Sequence, residues 1–303
     1  RWLHRPGTAR LILVVSLIVT SLAWWATRHY AHDEARQRFE RRTDEIHSRI
    51  DRRMASYEAM LRGGVALVAA SPNPTREAWR RYVETVRPEQ HYPGIQGFGV
   101  SRYIPAQDLA AHEQSVRAEG FPDYRVKPSG PRAAYSSIVF LEPFVERNLR
   151  AFGFDMMSEP IRREAMLRAR DTGQAAISGI VTLVQENGLD VQKGFLLYLP
   201  VYRRGGQSAD AIWGWVYAPF RVRDLMDGLL GNDLGNIAFR IHDGSDQAAD
   251  TEFYRSDDEL ADAGREPSVA ASDFVQRRSL SVAGRQWTVV YEGHDFEGMA
   301  DIW

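Results

Sequence analysis

An isolated carboxylic acid stands in this sequence where a charge is costly. Asp155 lies in the segment FGFDMMSEP, with Phe152 and Phe154 before it and Met156 and Met157 after it. A carboxylate that stays ionised among apolar side chains costs several kcal/mol unless donors hydrogen-bond it. Those donors are either backbone N–H groups of its own loop or groups on a bound molecule. The residues alone leave both interpretations open.

The residues after Asp155 predict a helix that begins close to this acid. Ser158 is a good N-cap, Pro160 suits the first turn and Gly173 is a typical residue at a helix end. The segment PIRREAMLRARD between them is therefore predicted to be helical. Because Asp155 precedes Ser158 by three positions, it is not predicted to be the cap itself.

The known catalytic motifs are absent from the sequence. It contains no G-x-S-x-G, no G-x-x-x-x-G-K-[ST], no H-E-x-x-H and no G-x-G-x-x-G, and it has no cysteine. Glu142 is a single acid without an acid–base partner. The chain as given is therefore predicted not to be an enzyme, and no cofactor is expected.

Other chemistry-bearing residues have simpler interpretations. His29 and His32 are three apart on a predicted helix, a spacing that permits metal binding. The favoured interpretation is that they are side chains at the membrane surface. Asp243 and Asp246 faintly resemble a calcium loop, yet the glycine position and the final acid do not fit, so they are read as turn residues. Ser178 lacks a histidine partner for hydrolysis. No metal site is predicted.

Composition indicates an ordinary globular protein of about two domains. The chain has 303 residues, of which 44% are hydrophobic and 26% are charged. The net charge is only −2, so nothing indicates a nucleic-acid partner.

The N-terminal region predicts a membrane span. Residues 11–27, LILVVSLIVTSLAWWAT, carry no charge and extend about 26 Å as a helix, with Trp24 and Trp25 where an interfacial belt would lie. A cleaved signal peptide and a buried soluble helix are the alternatives. The lipid bilayer is thus an expected partner. Arginines flank the span on both sides, so their count does not set its orientation.

A long stalk helix is predicted over residues 28–71. Its apolar positions recur at spacings of three, four and seven, which gives a narrow apolar stripe. The stripe includes Phe39, Ile46, Ile50, Met54, Tyr57 and Leu61. A homodimer seam and a helix that lies along its own domain both fit this pattern.

Two sets of strands follow the stalk. The first set, residues 72–220, has predicted helices at 75–86, 105–120 and 160–171 and predicted strands at 94–104, 124–127, 136–144, 174–184, 193–203 and 211–220, with a turn at Asn187–Gly188. The second set, residues 221–296, has a predicted helix at 221–232 and strands at 236–244, 272–284 and 285–293. Residues 244–271 are predicted to form an exposed loop, and residues 297–303 to approach a second membrane span.

One long stretch resembles a known family. The segment FDMMSEPIRREAMLRARDTGQAAISG, followed by GFLLYLPVYRRG, is similar to the core of the CHASE family. These are extracellular sensor domains of membrane histidine kinases and nucleotide cyclases, including plant cytokinin receptors. The aromatic residue before Asp155, the MMS segment, the Arg- and Ala-containing helix, TG at 172–173 and P-V-Y at 200–202 carry the resemblance, which is close over 135–204.

The resemblance implies an α+β architecture. A transmembrane helix would continue into the stalk helix and carry two PAS-like antiparallel-sheet modules. The distal module, 72–220, would bind the ligand, and the proximal module, 221–296, would return to the membrane. The resemblance also implies that the domain lies in the periplasm, outside a bacterial inner membrane, and that residues 1–10 are a cytoplasmic tail.

The resemblance further implies a ligand site. In plant members the matching aspartate binds N–H groups of an adenine-type hormone while apolar residues enclose its ring. The implied ligand-binding residues are Asp155, Ile177, Thr182, Leu183, Leu197 and Leu199. The strand after TGQA departs from the plant pattern at Gly179 and Ile180, so pocket volume and ligand identity do not carry over.

These observations predict the ligand-sensing region of a transmembrane receptor. A histidine kinase is the expected output, with a diguanylate cyclase as the alternative, and a homodimer through the stalk is expected. The rival interpretation is a membrane-anchored structural module. In that case Asp155 would be bonded internally, and Phe152, Met157 and Leu197 would fill the pocket.

Overall fold

The computed structural model describes residues 6–184, 191–203, 206, 208–231, 234, 236–245, 251–256, 272 and 274–293. Its first element, α1 (Pro6–Ala70), is one helix that contains both the predicted span and the predicted stalk. The side chains between Leu11 and Trp25 are about half exposed or more, and this part of α1 is long and apolar enough to cross a membrane.

The rest of α1 lies along its own domain. All six stripe residues from Phe39 to Leu61 are at most 6% exposed, and they belong to the same core as the strands described below. The apolar stripe is therefore used within the chain. A homodimer through the stalk would need a different face of α1.

The first module is a six-stranded antiparallel sheet with short helices around it. Its helices are α2 (Arg76–Val86), α3 (Pro88–His91), α4 (Leu109–Ala118), α5 (Glu146–Leu149) and α6 (Pro160–Thr172). Its strands are β1 (Phe98–Pro105), β2 (Ala134–Glu142), β3 (Ala176–Ile177), β4 (Val181–Thr182), β5 (Lys193–Tyr202) and β6 (Ile212–Arg221). The strand order is β2-β1-β6-β5-β3, and β4 also pairs with β5.

Local signals set several of these boundaries. Thr75 caps α2, because its hydroxyl accepts a 3.2 Å hydrogen bond from the N–H of Ala78. The predicted strand at 124–127 is wrong: only an isolated bridge joins Lys127 to Phe154. The predicted strand at 174–184 is two short strands, and the predicted turn at Asn187–Gly188 lies outside the described residues.

Both faces of the first sheet are covered. Along β5, Leu197 and Leu199 pack into the core that contains α1, whereas Leu196 and Tyr198 pack into a second core with Met166 of α6. Successive side chains on a strand point to opposite faces, so this alternation separates an α1 side from an α6 side. A strand buried on both faces reads as a continuous apolar run, as GFLLYLPVY does.

The second module is smaller. It comprises α7 (Val222–Leu230), β7 (Ile237–Asp243), β8 (Glu252–Arg255), β9 (Phe274–Val282) and β10 (Arg285–Gly293), with strand order β8-β7-β10-β9. The predicted exposed loop 244–271 is wrong in one respect, since β8 lies within it and pairs with β7. A short alternating segment, EFYR, forms this strand.

The two faces of this second sheet differ. The inner face packs against α1 and α7 through residues such as Phe239 and Trp287. The outer face carries polar contacts, including the ion pair between Arg240 and Glu292, and exposed side chains such as Val275, which is 54% exposed. The second module therefore buries one face of its sheet.

Direct contacts join the modules beside α6. The N–H of Ile177 donates to the carbonyl of Ala283 at 3.1 Å, and the Arg168 guanidinium donates to the carbonyl of Ile177 at 2.6 Å. Arg285 pairs with Asp243 and lies 3.8 Å from a carboxylate oxygen of Glu164. The end of α6 is thus bonded to the β9–β10 turn through β3.

Candidate functional site at Asp155

The segment that carries Asp155 adds to the edge of the first sheet. The N–H of Gly153 donates to the carbonyl of Ile138 at 3.0 Å, and the N–H of Ile138 donates to the carbonyl of Phe154 at 3.1 Å. On the other side, the N–H of Asp155 donates to the carbonyl of Lys127 at 2.7 Å. These bonds hold the segment between β2 and residue 127, so the position of Asp155 is fixed by the sheet.

Gly153 is required at this place. Its φ of +81° lies in the left-handed region, and a Cβ built there would lie 2.6 Å from the carbonyl oxygen of Arg125. Any other residue would combine backbone strain with a steric clash. Close approach of the 124–127 segment is therefore built into the sequence.

The two oxygens of Asp155 have different partners. The side chain is fully buried, and Oδ1 accepts hydrogen bonds from the N–H groups of Ser136 at 2.8 Å and Met157 at 3.1 Å. Oδ2 accepts no hydrogen bond from the described residues, and its nearest cation is the Arg132 guanidinium at 3.5 Å. One oxygen is structural, and the other keeps unused acceptor capacity.

Burial raises the pKa of Asp155. The N–H of Ser136, the charge of Arg132 and the N–H of Met157 oppose this shift but do not cancel it. Removal of the carboxylate from water is therefore only partly compensated. A further donor to Oδ2 would stabilise the ionised form.

Arg132 is the partly buried cation next to Asp155. Its side chain is 26% exposed, and it also donates to the carbonyls of Pro128 at 3.0 Å and Gly130 at 3.3 Å. Its guanidinium lies over the ring of Tyr135, 5.6 Å from the centroid. The loop 128–133 thus carries the cation that faces Oδ2.

The α6 side of the sheet near Asp155 mixes apolar and polar groups. The hydroxyls of Ser101 and Ser136 bond each other, and the hydroxyl of Tyr198 lies 3.5 Å from the sulfur of Met156. The hydroxyl of Tyr217 is buried without a hydrogen-bond partner among the described residues. Buried tyrosines normally find a partner, so this hydroxyl is a second unused polar group in the same layer.

The turn after Asp155 differs from the predicted one. Asp155 caps a 3-10 turn at Met156–Ser158, and Ser158 donates its hydroxyl to the carbonyl of Asp155 at 2.5 Å. The N-cap of α6 is Glu159, whose carboxylate accepts from the N–H groups of Ile161 and Arg162. The prediction of Ser158 as the α6 cap is therefore wrong by one residue, whereas Gly173 ends the helix as predicted.

The structure does not bring all six predicted ligand-binding residues together. Leu183 lies on the same side of the sheet as Asp155, in the core with Met156. Ile177, Leu197 and Leu199 lie in the core that contains α1, on the opposite side. The side chain of Thr182 is exposed, and its carbonyl accepts from Arg162 at 3.0 Å. The ligand roles of these residues stay predictions.

The residues of the rival interpretation also separate. Phe152 packs with Tyr124 and Phe121, and Leu197 lies on the α1 side of the sheet. Only Met157 packs against the core beside Asp155. These three side chains do not fill one common space.

The sequence did not predict a role at this site for Arg132, Tyr198 or Tyr217. The two tyrosines could have been identified from the sequence, because each stands in an otherwise apolar buried strand where a hydroxyl needs a partner. Arg132 had no such signal, since it lies in a polar loop whose fold depends on contacts distant in sequence.

The unused acceptor capacity of Asp155 Oδ2 suits the binding of a hydrogen-bond donor.

Among residues 6–184 and the other described segments, no group of three or more His, Cys, Asp or Glu side chains could hold a metal ion. His29 stacks on Trp25 with ring centroids 5.4 Å apart, and the ring of His32 lies 5.2 Å from that of Phe274. Asp243 pairs with Arg285, and Asp246 lies outside the described residues.

Comparison with known families and proteins gives a consistent result. The model of the CHASE domain matches residues 72–254. Probable histidine kinase 5 of Oryza sativa subsp. japonica is 27% identical over 154 residues, which is 49% of this chain and 13% of that protein. Histidine kinase 3 of Arabidopsis thaliana is 24% identical over 178 residues, 58% of this chain and 15% of that protein. The chain thus spans about a seventh of these relatives.

Solved structures share the fold at low identity. The periplasmic sensory domain of the Campylobacter jejuni chemoreceptor Tlp1 superposes with a TM-score of 0.51 at 8% identity, and the match covers 86% of this chain and 95% of that one. An extracellular ligand-binding receptor from Desulfohalobium retbaense gives a TM-score of 0.50 at 11% identity, covering 85% and 40%. The α+β architecture, with a long N-terminal apolar helix and two PAS-like antiparallel sheets, is therefore that of extracellular sensor domains.

Proposed function

The chain belongs to the CHASE domain family of extracellular sensor domains in signalling receptors such as histidine kinases, and from this premise we propose that it is the periplasmic ligand-sensing region of a bacterial transmembrane sensor histidine kinase. The apolar start of α1 anchors it in the inner membrane, and both sheets lie outside. The exposed side chains between Leu11 and Trp25 support this placement, since lipid can cover them.

Under this proposal the ligand binds in the first module through Asp155. The single observation that carries it is the fully buried Oδ2, which lacks a hydrogen bond from the described residues while Oδ1 has two. A flat heteroaromatic molecule with adjacent N–H groups, such as an adenine, supplies donors to this oxygen. Each charge-assisted hydrogen bond would contribute about 1.5–3 kcal/mol.

Binding displaces Arg132 from Oδ2. Because the guanidinium lies at 3.5 Å and does not hydrogen-bond this oxygen, a better-placed N–H competes favourably. The apolar walls are then Met156, Leu183 and Tyr198, which lie on the α6 side of the sheet. Leu197 and Leu199 do not line this space, because their side chains lie on the other side of the sheet, against α1.

The signal leaves the site through α6. Arg168 on α6 donates to the carbonyl of Ile177, whose N–H donates to Ala283 in the second module. A shift of α6 on ligand binding therefore moves the β9–β10 turn. Binding changes receptor output only if the ligand has different affinity for the two arrangements.

A binding measurement on the full chain in detergent micelles tests the proposal. Isothermal titration with adenine and with N6-alkyl adenines should give saturable binding. Asp155→Asn keeps a carbonyl acceptor for Ser136 and Met157 but removes the negative charge, so it should fold and lose binding. Asp123→Asn, at an exposed site in the same module, is the matched control and should bind normally.

Arg132→Gln provides the opposite change. Loss of the competing guanidinium should strengthen binding several-fold, because the ligand no longer has to displace a cation. If no adenine binds wild type, and if Asp155→Asn is instead strongly destabilised, the acid is structural and the sensor site lies elsewhere.

A further inference from the structure

We propose that a cleft on the α1 side of the first sheet binds a small oxyanion through Arg102 and Arg203. This site is separate from Asp155, which lies on the α6 side, so the two can be tested independently. The cleft has a volume of about 570 Å³ and lies between α4, the end of β1 and the residues that follow α1. Cavities of this size hold small organic molecules.

Arg102 is a cation held partly out of water without an ion pair among the described residues. Its guanidinium stacks on Trp213, with its central carbon 4.1 Å from the ring centroid. Asp108, which also lines the cleft, acts on this charge without forming a salt bridge with it. Partly buried arginines are normally paired with acids, so the absence of a partner leaves directional donors unused.

The other arginine of the cleft increases the positive potential. Burial lowers the pKa of Arg102 to about 10, and the charge of Arg203 acts in the same direction. Asp108 is the nearby acid that opposes this repulsion. An anion between the two guanidinium groups would relieve the repulsion and compensate for the burial.

The remaining polar lining does not neutralise the arginines. Glu119 already accepts from Arg76 at 3.2 Å. His112 donates or accepts a 3.0 Å hydrogen bond with the hydroxyl of Tyr124, and burial together with the charge of Arg102 lowers its pKa to about 4. His112 is therefore neutral near pH 7. With Glu119 bonded to Arg76, Arg102 and Arg203 face one further acid, Asp108, so the cleft keeps a net attraction for anions.

The side chains specify the ligand chemistry. Two guanidinium forks match the oxygens of a carboxylate or a phosphate, and Trp213 provides an aromatic wall beside them. Small carboxylic acids and inorganic phosphate share this chemistry. The exposed position of Arg203 at the mouth leaves the cleft open to such ions.

The test uses the full chain in detergent micelles. Tryptophan fluorescence and the thermal midpoint are followed while succinate, inorganic phosphate or neutral succinamide is added. Succinate or phosphate should bind with saturation and raise the midpoint, succinamide should not, and added salt should weaken the effect. The anion that binds more tightly shows whether the site takes a carboxylic acid or a phosphate.

Variants separate a specific site from general attraction. Arg102→Gln should weaken anion binding at least about tenfold, and Arg203→Gln should weaken it less, because Arg203 is more exposed. Arg81→Gln, at a side chain that is 70% exposed on α2, is the matched control and should bind as wild type does.

Two further variants test whether the anion site is separate from Asp155 and needs the guanidinium fork of Arg102. Asp155→Asn should leave anion binding unchanged, since its site is on the other side of the sheet. Arg102→Lys keeps the charge and the fold but loses the fork, and should bind more weakly than wild type. The proposal is overturned if neither anion saturates, or if binding persists unchanged in Arg102→Gln.

Discussion

The two sheets of this protein bury their faces differently. The first sheet is covered by α1 on one side and by α6 on the other, and a buried acid, two bonded serines and an unpaired tyrosine hydroxyl lie on its α6 side. The second sheet packs one face on α1 and α7 and turns a polar face outward. A sheet that is covered on both faces shields its polar groups from water, so a hydrogen bond there is stronger than on the outer face of the second sheet. This difference supports the proposed ligand site in the first module.

The largest effect should come from opening the α6 side of the first sheet. Trp215→Ala removes a fully buried indole whose N–H donates to the carbonyl of Met166 at 2.9 Å, and should cost about 4 kcal/mol of unfolding free energy. Val275→Ala on the outer face of the second sheet should cost about 0.5 kcal/mol or less. Urea unfolding followed by circular dichroism measures both. Equal costs would show that the outer face of the second sheet is also covered.

The next largest loss of unfolding free energy should distinguish the buried acid of the first module from an acid of the second module. Asp155→Ala leaves the N–H groups of Ser136 and Met157 without their acceptor, and should cost about 3 kcal/mol. Asp243→Ala breaks a pair with Arg285 nearer the surface and should cost about 1 kcal/mol. The same urea experiment measures these values. A smaller loss for Asp155→Ala than for Asp243→Ala would contradict a structural role for Oδ1.

A pH effect on stability should come from His112 in the first module. His112 has a folded-state pKa of about 4, lowered mainly by burial and also by Arg102, while Glu113 opposes the shift and Tyr124 bonds the ring. A lowered pKa in a base gives stability that is present above the unfolded value and lost as pH falls from about 6.5 to about 4.

His112→Gln should therefore remove about 1 kcal/mol of the stability loss between about pH 7 and pH 5. Gln keeps a group that can bond Tyr124 but does not titrate. The urea midpoint at each pH is the measurement. An identical pH slope in wild type and variant would exclude His112 as the source.

Among the substitutions of polar residues, the smallest effect on stability should come from the junction between the modules. Arg285→Gln breaks the pair with Asp243 and the 3.8 Å approach to Glu164, and should cost under about 1 kcal/mol because both contacts are partly exposed. Ligand affinity at Asp155 should not change. Hydrogen exchange in β9 and β10 should respond less to ligand in the variant, because only the bonds from Arg168 to Ile177 and from Ile177 to Ala283 still join the modules there. An undiminished response would show that Arg285 carries none of the coupling.

Much of the fold could be predicted from apolar patterning. The long helix, β5, β6 and the pair β9–β10 follow from apolar runs or alternation that tertiary contacts did not override. The strand β8 was missed because EFYR is short and lies among Asp, Ser and Ala. The segment at 124–127 was overpredicted, because a short apolar alternation also occurs where a loop makes a single bridge.

The site could be predicted only in part. The setting of Asp155 among Phe and Met identified a buried acid, and its resemblance to a family motif gave it a role. Its partners could not be predicted, since Ser136 lies on β2 and Arg132 on a loop brought near by tertiary structure. Likewise, whether Leu197 or Tyr198 faces Asp155 depends on which side of the sheet α6 covers, and sequence alternation does not specify that.

The close packing at the end of α1 has a mechanical consequence. A Cβ on Gly63 would lie 2.3 Å from the hydroxyl oxygen of Tyr82, and one on Gly64 would lie 3.0 Å from Phe98. The last turns of the helix are therefore fixed against the first sheet. The helix stays packed on the two modules back to His32, whose ring lies 5.2 Å from that of Phe274. From His32 to Leu11 it extends about 32 Å at helical rise, and residues 11–30 are exposed. Because the packed part moves with the modules as one rod, a rotation of the modules by about 4° would displace the far end of the apolar segment by about 2 Å.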